Sequence, residues 1–119
     1  MNDFDFSAIV QNAKDVVIVT KSDPIDEPGP EIVYVNDAFT EVTGYSAEEV
    51  IGKTPRILQK DGTDREELAR IRVALEKREP VRATLKNFSK SGKEYWVDLS
   101  MLPLKNHEGL VTHFASIQR

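Results

Sequence analysis

From residue 81 onward the chain reads as an antiparallel meander. The runs VRATLKNF (81–88), KEYWVDLSML (93–102) and LVTHFASIQ (110–118) are rich in β-branched and aromatic residues. The short turns SKSG and KNHEG join them, each closed by glycine. Connections this short leave no room for a parallel crossover, which needs a dozen residues or more. Three such strands bury nothing on their own, so the rest of the chain must cover one face.

The upstream residues predict that cover and two more strands. DVVIVT (15–20) and EIVYV (31–35) read as strands joined by the loop KSDPIDEPGP (21–30), which holds three of the six prolines. Ten residues is long for a hairpin. Asn36 predicts a cap for a helix over DAFTEVT that Gly44 stops. Ser46 and Glu49 fit a capping box, with a short helix running on to Gly52. Thr54 before Pro55 reads as cap and first position of a helical turn over TPRILQ. Thr63 and Glu66 predict another box, opening the longest helix over 64–77, where Leu68, Ile71 and Leu75 recur at helical spacing. A short helix over 6–14 is expected ahead of the first strand. The pattern predicts an α+β fold: a five-stranded antiparallel sheet with short helices and one longer helix on one face. One domain is expected over 14–119, with 1–13 as a flanking segment.

Composition narrows the function. The 16 Lys+Arg against 20 Asp+Glu give a net charge of -4, which argues against a nucleic-acid surface. No apolar run approaches the roughly 20 residues that span a bilayer, and no targeting pattern is seen, so a cytoplasmic location is the expectation. There is no cysteine, hence no disulfide, thiolate metal site or thiol nucleophile. His107 and His113 stand alone, one in a turn and one on an outward strand position, and predict no metal site. The pairs Glu48–Glu49 and Glu66–Glu67 fit helix starts favoured by the helix dipole. No phosphate-binding glycine loop, zinc-protease pair or nucleophile elbow is found, so the chain is read as a non-enzyme.

Strand parity singles out two amides. Val81, Ala83 and Leu85 share one face of their strand, and Asn87 continues the row. Tyr95, Val97, Leu99 and Met101 share a face of the next. In the last strand Leu110, Thr112, Phe114 and Ser116 lead to Gln118. A buried amide without partners costs about 1–3 kcal/mol. Either both amides are wetted at fraying strand ends, or they hold a planar heterocycle by donating and accepting together. Phe88, Trp96, His113 and Ile117 fall on the opposite face. That patch predicts either a partner surface or a seat for the helix over 6–14.

The element order and YVNDAFTEVTGYSAEEVIGK (34–53) resemble a PAS domain. GKTPRILQ (52–59), RIR (70–72), LKNFSKSGKEYW (85–96) and FASIQ (114–118) resemble segments of light-oxygen-voltage (LOV) domains, whose flavin-binding stretch reads G-x-N-C-R-F-L-Q. The resemblance covers roughly 14–118. It implies FMN, with FAD possible. Arg56 and Arg72 match two arginines that hold the terminal phosphate, in keeping with the guanidinium fork. Gln59 matches a ribityl contact, Asn87 an amide at the pyrimidine edge, and Gln118 the amide near O4 and N5 that serves signal output. Leu99 and Phe114 complete the candidate wall. Three positions depart from the pattern. Pro55 stands where the reactive cysteine would be, Thr54 replaces an Asn, and Val97 replaces a second pyrimidine-edge Asn. The first removes the light-driven thiol adduct, and the other two weaken polar contacts. Proline at a first helical position is also explained by structure alone.

The resemblance therefore implies a sensory input domain, signalling blue light or redox state through flavin reduction without an adduct. Tyr95 and Trp96 are the electron donors nearest in sequence, and Gln118 would rotate its amide to follow N5. The partners implied are the flavin, a homodimer partner on the outer sheet face, and a covalently linked effector domain. The alternative is a flavin-free PAS module for dimerisation, signal relay or small-metabolite binding.

Overall fold

The structure, a computed structural model, describes residues 13–26, 28–60 and 62–119. Most of the helix expected over 6–14 lies outside these residues. The elements follow the predicted order: β1 (Val16–Lys21), β2 (Ile32–Val35), α1 (Asp37–Thr43), α2 (Ala47–Val50), a 3-10 turn (Pro55–Leu58), α3 (Arg65–Glu76), β3 (Val81–Phe88), β4 (Glu94–Lys105) and β5 (Val111–Gln118). All five strands form one antiparallel sheet in the order β2-β1-β5-β4-β3. β5 is therefore central, flanked by the first strand and the fourth, so the sheet closes only when the two ends of the domain meet.

The helix caps show why the segments start where they do. Asn36 Oδ1 accepts from Phe39 N (3.2 Å) and from Val17 N (3.0 Å), while its Nδ2 donates to Asp15 O (2.9 Å). One buried amide thus caps α1 and pins it to β1. Ser46 and Glu49 make the predicted capping box. The cap of α3 differs from expectation. Asp64, not Thr63, accepts from Glu66 N and Glu67 N. Thr63 is buried and donates instead to Lys86 O at 2.9 Å, which ties the start of α3 to β3. A carboxylate at the N-terminus is also favoured by the helix dipole.

Two strand details depart from the sequence reading. β4 runs through Pro103 to Lys105, past the predicted end at Leu102. β3 begins opposite Met101, so beyond that point one edge of β4 is open and a residue lacking N–H is tolerated. Leu110, expected to face inward, precedes β5 and is 60% exposed; Thr112 is exposed too. The inward row begins at Phe114 and continues through Ser116 to Gln118, all buried.

The core divides into two clusters. One joins Ile18, Ile32, Val35, Phe39, Val50 and Leu58 beneath α1 and α2. The other joins Ile71 and Leu75 of α3 to Leu85, Val97, Leu99 and Phe114 of the sheet. On the far face of the sheet Trp96 is 64% exposed, with Lys86 Nζ 5.5 Å from its ring centroid.

Candidate functional site

Between the two clusters lies a cavity of about 530 Å³. Sealed and dry, a void of that size would cost about 13 kcal/mol, as much as the whole stability of a typical domain. The space is instead partly open and polar in parts of its wall. Its floor is the helix-facing row of the sheet, with Leu85 and Asn87 from β3, Leu99 from β4, and Phe114, Ser116 and Gln118 from β5. The 3-10 turn brings Thr54, Pro55, Arg56 and Gln59 to one side, and α3 brings Arg65, Leu68 and Arg72 to another.

Eight of the nine candidate residues thus share one wall: Thr54, Arg56, Gln59, Arg72, Asn87, Leu99, Phe114 and Gln118. Val97 does not reach it. Its side chain is buried in the second core cluster against Leu85 and Leu99. Pro55 lines the cavity as the first residue of the 3-10 turn, and Thr54 caps that turn by accepting from Arg56 N at 3.4 Å.

The two amides are both buried, Asn87 at 4% and Gln118 at 6% exposure, and both face this space. Gln118 Nε2 donates to Ser116 Oγ at 3.2 Å. Asn87 lies opposite Tyr95 across the β3–β4 pair. Burial pushes the Tyr95 phenol pKa up, and the neighbouring Asn87 amide opposes that shift. The phenol oxygen has no partner at hydrogen-bonding geometry. Trp96, the other aromatic named above, is on the far face of the sheet and away from the cavity.

The loop after β1 forms a strap along one wall. Ile25 and Pro30 of the loop after β1 line the cavity. Gly29 sits against the Arg56 guanidinium with φ +102°, where a Cβ would come within 3.4 Å of Nε. Asp26 pairs with Arg72, which also meets Glu76 at 3.6 Å. Asp23 accepts two hydrogen bonds from Arg78 (3.0 and 2.9 Å), and Arg78 reaches Ser22 O at 3.3 Å. Arg78 ends α3 at φ +57°, a position usually given to glycine, and its guanidinium lies 5.7 Å from the Phe114 ring centroid. The Arg78 hydrogen bonds hold the Asp23 carboxyl below its ordinary pKa, with help from Ser22.

Sequence reasoning missed Arg65 and Lys60. Arg65, Leu68 and Arg72 recur at spacings of three and seven along α3, which puts them on one face, and that spacing was the available signal. The strap was missed because loop composition says nothing of where a loop folds back. Among the described residues no cluster of His, Cys, Asp and Glu fits a metal ion, and no helix is long and apolar enough to cross a membrane.

A profile of the PAS domain matches residues 15–119. The chain belongs to the PAS domain family. This PAS domain is 37% identical over 113 residues to a blue-light-activated histidine kinase of Brucella anthropi, and 35% identical over 113 residues to those of Brucella ovis and Brucella abortus. Each match covers 95% of this chain but 22% of the kinase, so the domain spans about a fifth of the length of these relatives. Among solved structures it is similar to a light-oxygen-voltage domain studied with a flavin analogue (TM-score 0.85, 29% identity, 98% of this chain and 84% of that one). It is likewise similar to an RNA-binding light-oxygen-voltage receptor (TM-score 0.84, 31% identity, 95% of this chain and 31% of that one). The α+β fold read from the sequence is the fold of these domains.

Proposed function

We propose that this PAS domain is a sensory input module that binds a flavin non-covalently in the cavity between its two core clusters. The observation that carries the reading is the convergence of two buried amides, Asn87 and Gln118, with Arg56 and Gln59 on the wall of one space. About 530 Å³ lies within the range of small-ligand pockets. The mixture also fits the chemistry of the group: amides for a ring edge that both donates and accepts, apolar Leu99 and Phe114 for its faces, and a cationic end for a phosphate. The blue-light kinases and light-oxygen-voltage structures resembling this chain support the same reading.

When bound, the flavin supplies visible-light absorption and redox chemistry; everything else is the work of the chain. With no cysteine in the sequence, no thiol of this domain takes part, and Pro55 occupies the wall where one would stand. Tyr95, opposite Asn87 across the β3–β4 pair, is the aromatic donor this reading takes. Gln118 offers either Nε2–H or Oε1 to the ring by rotating its amide, releasing or restoring its bond to Ser116 Oγ. Since Gln118 is in register with both Leu99 and Val16, that rotation acts on three strands at once. Light and chemical reduction feed the same switch. A linked effector domain and a second copy on the Trp96 face are the partners this reading takes on. FMN is favoured, with FAD the other candidate.

The test is direct. Purified protein should be yellow with a structured flavin spectrum, and mass spectrometry of the heat-released chromophore identifies it. A colourless protein that takes up none of riboflavin, FMN or FAD would refute the proposal. It would favour the second reading, a flavin-free relay module, for which the departure of Val97 from the cavity wall speaks.

A further inference from the structure

The first strand carries a polar side chain that packing does not explain. Its sequence is VVIVTK, and Thr20 follows Ile18 on the inward face. Thr20 is 3% exposed and stands on the cavity wall. Among the described residues its Oγ1 makes no hydrogen bond. Leaving a buried hydroxyl unbonded destabilises the fold, and valine has the same shape without that cost. Val16, Val17 and Val19 fill half of this strand, so the core gives no reason for an oxygen at position 20. The serine on the same floor is accounted for, because Ser116 Oγ accepts from Gln118 Nε2.

The neighbours of Thr20 are apolar. It lies opposite Phe114 across the β1–β5 pair, with Ile18 next on its own face. Ile25 of the strap lines the same cavity. One hydroxyl in an apolar wall recognises a single polar atom, and it serves a donor or an acceptor equally.

Sheet order determines which end of a ring meets it. Asn87 is on the edge strand β3, Gln118 on the central β5, and Thr20 on β1 beyond it. A fused ring with its pyrimidine edge at Asn87 therefore crosses the floor with its benzenoid end toward β1. Gln118 pairs with Val16, and Thr20 pairs with Phe114. The two are one strand and four residues apart, about 14 Å between backbone positions. The Gln118 side chain and the rings beyond N5 share that distance. In riboflavin and its phosphates the benzenoid edge carries two methyl groups, which offer Oγ1 no bond.

We propose that Thr20 reads the benzenoid end of the bound ring and selects a flavin bearing an amino or hydroxyl group there in place of the methyl at C8. The inference rests on the flavin reading above and adds a specificity that neither Asn87 nor Gln118 supplies. An amino N–H donates to Oγ1, and a ring oxygen substituent accepts from the Thr20 O–H. Amino and methyl groups are nearly equal in size, so the ring need not shift to make the bond.

The experiment measures, by calorimetry on the purified chain, the binding of riboflavin and of 8-amino-8-demethylriboflavin to the parent, Thr20→Val and Thr20→Ser. The quantity read is the affinity for the amino analogue relative to riboflavin. Dividing the parent ratio by the Thr20→Val ratio cancels the electronic change in the ring and any general damage to the fold. That quotient should be about fivefold, as for one buried hydrogen bond. Thr20→Ser keeps the oxygen and should hold the parent ratio within about twofold. A quotient below about threefold overturns the assignment, and so does a Thr20→Ser ratio equal to that of Thr20→Val. Urea unfolding of the ligand-free protein checks the premise. Thr20→Val should raise the midpoint, and a lowered midpoint means that the fold itself uses the hydroxyl, which also overturns the assignment. The two failures are separable. If the parent takes up neither compound, the flavin reading falls and the subsite with it. If it takes up both with a ratio indifferent to position 20, the subsite alone falls.

Discussion

Replacing Asn36 with alanine tests how the helical half is fastened to the sheet. Asn36 is 2% exposed, and its side chain accepts from Val17 N and Phe39 N and donates to Asp15 O. Losing the cap costs about 1 kcal/mol. Leaving the buried Val17 N–H without that acceptor adds about 2 kcal/mol. For 119 residues the unfolding entropy is about 0.25 kcal/mol/K, so a total of about 3 kcal/mol lowers Tm by about 12 °C. Asn36→Ser keeps an oxygen for Phe39 N but cannot span to Val17, and should recover about 1 kcal/mol of the loss. Thermal and urea unfolding followed by circular dichroism, without added ligand, measure both, with the urea slope unchanged. A fall of less than about 4 °C for alanine, or equal falls for alanine and serine, would show that Asn36 is not the joint described here.

Three further substitutions have expected outcomes. Tyr95→Phe removes a buried hydroxyl without a partner and should stabilise the domain by up to about 1 kcal/mol; a loss of stability in urea would restore a bond to Asn87. Because burial raises the Tyr95 pKa, its contribution is present below the unfolded value near 10 and is lost as pH rises through the folded one, so the alkaline fall in Tm should be shallower in Tyr95→Phe. For Asp23 the sign is opposite: Arg78 lowers its pKa, so stability is present above the unfolded value of about 3.9 and is lost as pH falls through the folded one. Asp23→Asn should flatten the acid limb of Tm against pH, within the ~0.2–1 kcal/mol of an exposed pair; an unchanged limb removes the strap's latch at Arg78. Pro55→Cys places a thiol on the cavity wall and should give reversible light-induced bleaching of bound flavin, whereas a bleach-free flavoprotein means position 55 faces away from the reactive edge.

The meander was legible because turn chemistry and period-2 alternation agree over 81–118, and the helices because Asn36, Ser46 and Pro55 mark their starts. What the residues concealed is tertiary. Thr63 and Asp64 are both good caps, and only the nearness of the Lys86 carbonyl decides between them. Pro103 looks like a strand end until the start of β3 shows that its edge is open. Strand parity found Asn87 and Gln118, since alternation determines the face. The family resemblance added Val97, which shares that face but is buried in the second core cluster, because a matched position cannot tell a cavity wall from the packing behind it. Arg65 and the strap depend on where a loop and a helix meet, and local patterns are silent there.

The pairing of Val16 with Gln118 brings the first strand's start and the last strand's end together in adjacent strands, about 5 Å apart. Polypeptide attached on either side therefore departs from one corner, next to the amide assigned the switching role. Such a layout suits splicing the domain into a surface turn of a host protein, because the gap in the host is no wider than an ordinary hairpin. A twist at that corner would be delivered to both junctions together, as one lever with two handles.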